Sequence, residues 1–182
     1  MRYQLNISLT DEDCFACDYF QLADSPLAKE RLKPSRTSNI IIGSILLALG
    51  IFMFNSDSLL YLYFVIMGAF LFFHGLFVKK IIAGNIRKNL KNAQESGTLR
   101  YDPLVKLEFY EDKLVEIVPN GRYEERYVRM KQIFVLPNYV FCFTIKGNAH
   151  IIPIDQLEAQ VDKKEFLDFL VSKCPDITLL TK

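Results

Sequence analysis

Charge is absent from two stretches of this 182-residue chain, residues 39–54 and 59–78. That absence excludes an ordinary surface helix for either stretch, because such a helix carries one apolar stripe and one polar face. Histidine is scarce: only His74 and His150 occur, and neither has metal-like spacing to another ligand. The G-x-S-x-G, H-E-x-x-H and Walker-type glycine signatures are all missing, so no nucleophile can be matched to a base. The sequence therefore offers no catalytic, cofactor-binding or metal site. A net charge of +1 gives no reason to expect a nucleic-acid partner.

What is present is apolar length. At 1.5 Å rise per residue, roughly 20 apolar residues cross a hydrocarbon core of about 30 Å, and residues 59–78 suffice. The sixteen residues of 39–54 are slightly short, so this helix recruits Thr37 and Ser38 or thins the bilayer locally. The expectation is a transmembrane helical hairpin over 38–78, turning at Asn55-Ser56-Asp57-Ser58. It is no signal peptide, since it lies behind an acidic segment and has no Ala-x-Ala cleavage site before the second run. Lys29, Arg31, Lys33 and Arg36 precede the hairpin, Lys79, Lys80, Arg87, Lys88 and Lys91 follow it, and the turn holds only Asp57. Both termini are therefore expected in the cytoplasm, with two spans. The basic flank from Lys79 to Lys91 would meet an anionic leaflet, each cation near the surface contributing about 1 kcal/mol. Tyr61 and Tyr63 suit the outer interface. Gly43 and Ser44 fall level with Gly68 and Ala69, which either lets the two backbones approach closely or reflects how common glycine is in membrane helices. Homo-oligomerisation through these glycine faces is compatible with the pattern.

Residues 1–37 form an N-terminal cytoplasmic segment. Tyr3, Leu5, Ile7 and Leu9 alternate with Gln4, Asn6 and Ser8, the period of a half-buried strand. Thr10 stands as N-cap before Asp11-Glu12-Asp13, which predicts a helix over 11–23, stopped by Ser25-Pro26. Cys14 and Cys17 have C-x-x-C spacing, but Glu12, Asp13 and Asp18 disfavour a thiolate there. With Cys142 and Cys174 they read as reduced cytoplasmic thiols. Residues 79–97 predict a juxtamembrane helix with Ile82, Ile86 and Leu90 on one face, closed by Gly97; it lies on the bilayer or continues the second span. His74 sits near the membrane edge, as a functional intramembrane group or an interfacial one that reaches water.

From 98 to 182 the period changes. Val105, Leu107 and Phe109 start a strand, Glu111-Asp112 turns it into 113–118, and Asn120-Gly121 signals a second hairpin. A polar strand over 122–129, another over 132–136, and runs at 139–145 and 150–153 follow. Asp162-x-x-Glu165 opens a final helix with Phe166, Leu167, Phe169 and Leu170 as its apolar stripe. Six meandering strands and one helix predict a small antiparallel barrel or sandwich with the helix plugging an end, joined by the N-terminal strand. The class is thus an α+β membrane protein. Arg122, Tyr123, Arg126, Tyr127, Arg129 and Lys131, with Tyr139 nearby, form the candidate binding surface.

Residues 7–13 (Ile-Ser-Leu-Thr-Asp-Glu-Asp) leading to Asp24-Ser25-Pro26, the two-helix hairpin, Phe109-Tyr110-Glu111-Asp112, Lys131-Gln132-Ile133, Tyr139-Val140-Phe141 and Ile151-Ile152-Pro153 carry a resemblance. In order and spacing they resemble the YcxB-like family of bacterial membrane proteins. The resemblance implies a C-terminal domain similar to bacterial pleckstrin-homology-like (PH-like) folds, in the bacterial cell (inner) membrane, with no catalytic residues to carry over. The expected function is a membrane-anchored, non-catalytic interaction module that binds a protein or peptide partner or an anionic lipid headgroup. The alternatives are a small oligomeric channel or transporter component, or a membrane-associated enzyme.

Overall fold

The computed structural model describes residues 1–55, 59–97, 101–145, 147–174 and 177–179; most of the turn expected at 55–58 lies outside them. The chain divides into two compact units, Met1–Cys17 with Ala93–Lys182, and Asp18–Asn92.

In the first unit, alternation at the N-terminus produces β1 (Tyr3–Ser8), with Leu5 and Ile7 buried and Gln4, Asn6 and Ser8 exposed. β1 pairs antiparallel with β2 (Leu104–Phe109), Leu5 facing Leu107, and β3 (Lys113–Val118) and β4 (Gly121–Arg126) complete a sheet of order β1-β2-β3-β4. Val118 stands opposite Gly121, so the hairpin turns at Pro119 and Asn120 and Gly121 already belongs to β4. The second sheet has order β7-β6-β5-β8, from β5 (Met130–Val135), β6 (Tyr139–Thr144), β7 (Ala149–Pro153) and β8 (Ile177–Leu179). β8, which no alternation announces, adds parallel to β5.

Two expectations are corrected here. The polar stretch 122–129 is not one strand: β4 ends at Arg126 and a 3-10 turn, Tyr127–Arg129, carries the chain to the second sheet. Its cause is Tyr127, which turns inward and donates its hydroxyl to the Tyr110 carbonyl at 3.0 Å. Because β4 and β5 do not pair, the described strands form two separate four-stranded sheets and do not close into a barrel.

The core holds Leu5, Leu107, Phe109, Leu114, Ile133, Val140 and Ile152 with Phe166, Phe169 and Leu170 of the C-terminal helix. Phe109 and Phe166 meet edge to face at 4.9 Å. That helix, preceded by the short α4 (Ile154–Glu158), is α5 (Lys163–Lys173), and its Asp162 cap accepts the Glu165 N–H at 2.8 Å as the sequence predicts. β6 departs from simple alternation, with residues 140–144 all buried. Rings pack on the side meant for solvent, Tyr139 stacking on Phe141 at 5.3 Å and Phe134 meeting Phe143 at 5.9 Å. The His150 Nδ1 of β7 lies 2.6 Å from the Glu116 carboxylate of β3, which brings the two sheets into contact.

β1 is the lateral strand of its sheet, yet its outer side is sealed. The Asn6 N–H donates to Gln160 Oε1 and the Asn6 carbonyl accepts from Gln160 Nε2, both at 2.8 Å. Gln156 does the same for Ser8, again at 2.8 Å each way. Two side-chain amides four residues apart thus imitate a neighbouring strand and satisfy an edge that would otherwise template aggregation.

α1 (Asp11–Tyr19) starts in a reciprocal cap: Asp13 Oδ2 accepts from the Thr10 N–H at 2.8 Å, while the Thr10 hydroxyl accepts from the Asp13 N–H at 3.3 Å. The α-helix expected to Ala23 ends at Tyr19, and a π-helical turn, Phe20–Asp24, finishes it.

The second unit is built on two long helices. Ser25 caps α2 (Pro26–Phe52), accepting the Ala28 N–H at 3.1 Å, and α2 absorbs the basic flank before the apolar run. α3 (Leu60–Glu95) is one continuous helix of 36 residues, so the juxtamembrane segment continues the apolar one. The two helices are long and apolar enough to cross a membrane, and only 11 % of each apolar window is buried within the protein. They touch through glycine. A Cβ on Gly43 would lie 2.6 Å from the Phe72 amide nitrogen and 2.8 Å from the Gly68 carbonyl; Gly50 faces Val65, and Gly75 faces Ile40. These four glycines are taken up inside the hairpin. At one end Asn39 Nδ2 and His74 Nδ1 lie 3.1 Å apart and Arg36 Nε donates to the Gly75 carbonyl at 3.3 Å.

Candidate functional site

Strand alternation decides where the predicted surface residues go. Arg122 and Arg126 share one face of β4, Tyr123 occupies the other, and all three are exposed. The cations do not form an uninterrupted field. Glu124 lies between them, 3.4 Å from Arg122 and 2.6 Å from Lys113 of β3, and Lys113 holds the Glu124 carboxyl below its usual range. Arg129 and Lys131 are exposed on the 3-10 turn and β5. Tyr127 leaves the set: it is 5 % exposed, its ring meets Phe169, and burial pushes its hydroxyl pKa up. The expected surface is therefore a mixed-charge strand and not a cationic patch.

The cations of α3 are spread along its axis. Lys79 pairs with Asp24 at 2.6 Å and the Lys80 ammonium lies 5.4 Å over the Phe77 ring. Arg87, Lys88 and Lys91 are exposed further along. Measured from Val78, Lys80 is about 3 Å up the helix, Arg87 about 13 Å and Lys91 about 20 Å.

A cleft of about 500 Å³ opens in the first unit, where the start of α1, the β5–β6 turn and the β7–α4 junction converge. Its wall includes Asp13, Asn138, Tyr139, Asp155 and Glu158, and none of its lining residues among those described is basic. Asp13 is nearly buried and accepts three hydrogen bonds, from the Thr10 N–H, the Thr10 hydroxyl at 2.7 Å and the Tyr139 hydroxyl at 3.0 Å. Burial, reinforced by Asp13, pushes the Tyr139 hydroxyl up to about 12, so it stays a neutral donor at ordinary pH. Nearby, Tyr101 donates to Asp11 at 2.5 Å and is pushed up in the same way, by burial first. Glu158 pairs with Lys163 at 2.9 Å, while Asp155 is exposed on the wall. The cleft thus offers an aromatic wall and carboxylates, a chemistry suited to a cationic, donor-rich group.

Sequence reasoning took Thr10 as the helix N-cap, which it is, and Asp13 only as one of the acidic residues that suit the helix start; it missed that this carboxylate completes the cap and anchors Tyr139. The only signal was the acidic run itself. Cys14 and Cys17 are both buried in α1, and Cys142 and Cys174 are buried in the core, where burial raises their thiols, Cys174 to about 11. Comparison with family models, curated proteins and solved structures returned no match.

Proposed function

We propose that this protein is a membrane-anchored, non-catalytic interaction module whose two-sheet unit binds a protein partner through a cationic segment laid in the acidic cleft. The observation that carries the reading is the 11 % burial of each apolar window: bilayer-length apolar surface is left for something other than this chain to cover. The flanking cations support two spans with cytoplasmic ends in a bacterial inner membrane. Two four-stranded sheets, β1-β2-β3-β4 and β7-β6-β5-β8, with an amphipathic C-terminal helix in the core support the PH-like reading of this unit; the YcxB-like likeness rests on the sequence motifs.

Within the module class, the geometry favours a peptide over an anionic headgroup. The cleft has carboxylates and no cation among its lining residues, and the cations of β4 are interleaved with Glu124. On α3 only Lys79 and Lys80 lie within one Debye length, about 8 Å, of the end of the apolar run, and Lys79 already has Asp24. A cleft of this size accommodates a few side chains.

The test uses the full chain in detergent or nanodiscs with two probes, a Lys/Arg-rich peptide and vesicles containing phosphatidylglycerol. Peptide binding that weakens several-fold in Asp155→Asn/Glu158→Gln, and falls with salt, is expected. Vesicle binding that is lost on charge reversal at Arg126 and Arg129, with no peptide binding, would replace this reading by the headgroup one.

A further inference from the structure

The two lateral edges of the first sheet are treated differently. β1 is sealed by Gln156 and Gln160, whereas β4 is paired by β3 alone, and among the described residues no strand lies on its other side. The hairpin closes at Val118 opposite Gly121, and antiparallel ladders alternate between hydrogen-bonded and non-hydrogen-bonded pairs. That alternation turns the amides of Arg122, Glu124 and Arg126 to the open side. Their side chains are exposed, and so is Tyr123, at 61 %.

An edge of this kind takes another extended strand, and the side chains opposite each other select which one. The β4 sequence Gly-Arg-Tyr-Glu-Glu-Arg can be laid antiparallel against a second copy of itself about a two-fold axis centred on any residue. Centring on Arg122, Glu125 or Arg126 sets that charge against itself. Centring on Glu124 sets Arg122 against Arg126. Centring on Gly121 sets most of the strand against the partner's hairpin turn, where there is no edge to pair. Of the axes that keep strand against strand, only the one through Tyr123 avoids a clash of like charges: Arg122 faces Glu124 of the partner copy, Glu124 faces Arg122, and the two tyrosines meet in the middle. Glu124 keeps Lys113 behind it in its own chain. The Tyr123 ring lies over Gly121, whose missing Cβ makes room for it at 3.1–3.2 Å.

We infer that the β4 edge is a homodimer interface, in which two copies join their first sheets antiparallel through residues 121–126 about an axis at Tyr123. The four hairpin glycines are occupied within one chain and offer no free glycine face to a second copy. Six residues a side make a small interface, so the dimer is concentration-dependent. Nothing in the inference depends on the cleft or its ligand.

The test is made on the full chain in detergent by light scattering after gel filtration and by cysteine cross-linking. The native cysteines are all buried, so Tyr123→Cys reports on its own. It should form a disulfide-linked dimer under mild oxidation, while Glu125→Cys, which faces position 121 of the partner, should lag well behind. Arg122→Glu should weaken dimerisation by about tenfold, because it replaces both cross-pairs by like charges. Arg122→Glu/Glu124→Arg exchanges the charges and should restore most of it. A monomer at all concentrations, equal cross-linking at 123 and 125, or a double variant as weak as the single one would each overturn the inference.

Discussion

Gln156 and Gln160 make a quantitative claim about how this sheet is finished. Each amide makes two hydrogen bonds of 2.8 Å to one residue of β1. A buried bond of this kind contributes about 1 kcal/mol net, but these bonds are exposed, so water competes and about 0.5 kcal/mol each is the appropriate figure. Replacing either glutamine by alanine should therefore cost about 1 kcal/mol, and replacing both about 2 kcal/mol. Gln160 also donates to the Gln156 carbonyl at 3.0 Å, so the two losses should couple and not add perfectly. Gln160→Glu sharpens the argument, since it keeps an acceptor for the Asn6 N–H and sets a second negative oxygen against the Asn6 carbonyl. It should cost at least as much as alanine despite its similar size. Denaturant titration gives the free energies, and amide hydrogen exchange gives the local picture: Asn6 and Ser8 amides, which face outward from the sheet, should exchange slowly in the parent and rapidly in the double alanine variant. A double variant within about 0.3 kcal/mol of the parent, with those amides still protected, would show that the clasp contributes nothing.

Three further expectations follow from other contacts. Gly43→Ala should disrupt the packing of α2 on α3, because its Cβ meets backbone that no side-chain rotation relieves; Gly84→Ala, with open space around it, should stabilise α3 by up to about 1 kcal/mol, and thermal melting in detergent compares the two. Deleting residues 1–9 removes β1 with buried Leu5 and Ile7, each worth about 1.5–3 kcal/mol, and should collapse the melting transition of the first unit; an unchanged profile would rule out the pairing with β2. Glu108, nearly buried on β2, has its carboxyl held low chiefly by Lys106 and then by the Tyr110 hydroxyl. A depressed folded-state pKa gives stability that is present above the ordinary carboxylate value of 4.5 and lost as pH falls below it, so Glu108→Gln should flatten that part of the acid limb in a pH series of denaturant midpoints.

Much of the fold was legible because local periodicity controls it. The alternations at 3–9, 105–109 and 113–118 mark β1, β2 and β3, and Asp162 announces α5 three residues before the N–H it accepts. Where burial is two-sided or side chains act over distance, local reading fails. β6 alternates only in composition, since rings cover the face meant for water. Tyr127 reads as part of a polar strand, yet its inward-turned hydroxyl bonds to the half-buried Tyr110 carbonyl, and the chain bends there and separates the sheets. α2 begins at Pro26, capped by Ser25, because a basic segment with few apolar residues carries the helix up to the apolar run and gives no periodic signal of its own. The glutamine clasp joins positions 154 and 148 residues apart, and the cleft joins Asp13 to Tyr139 across 126; no window along the sequence contains either pair.

The pairing of β1 with β2 also constrains biosynthesis. Ser8 and Leu104 are sheet neighbours, yet everything apolar in the two long helices is threaded between them. A chain that leaves a sheet and rejoins its adjacent strand must return to the side of any barrier it has crossed, so the number of crossings is even whatever the charges at the ends. A nascent chain that inserted one helix and not the other would leave β1 and β2 on opposite sides of the bilayer. The sheet could then not form, and Leu5 and Ile7 would stay exposed for quality-control proteases to recognise. For helices that cross a membrane, folding would thereby check insertion: β1 precedes both helices along the chain and its partner β2 follows them.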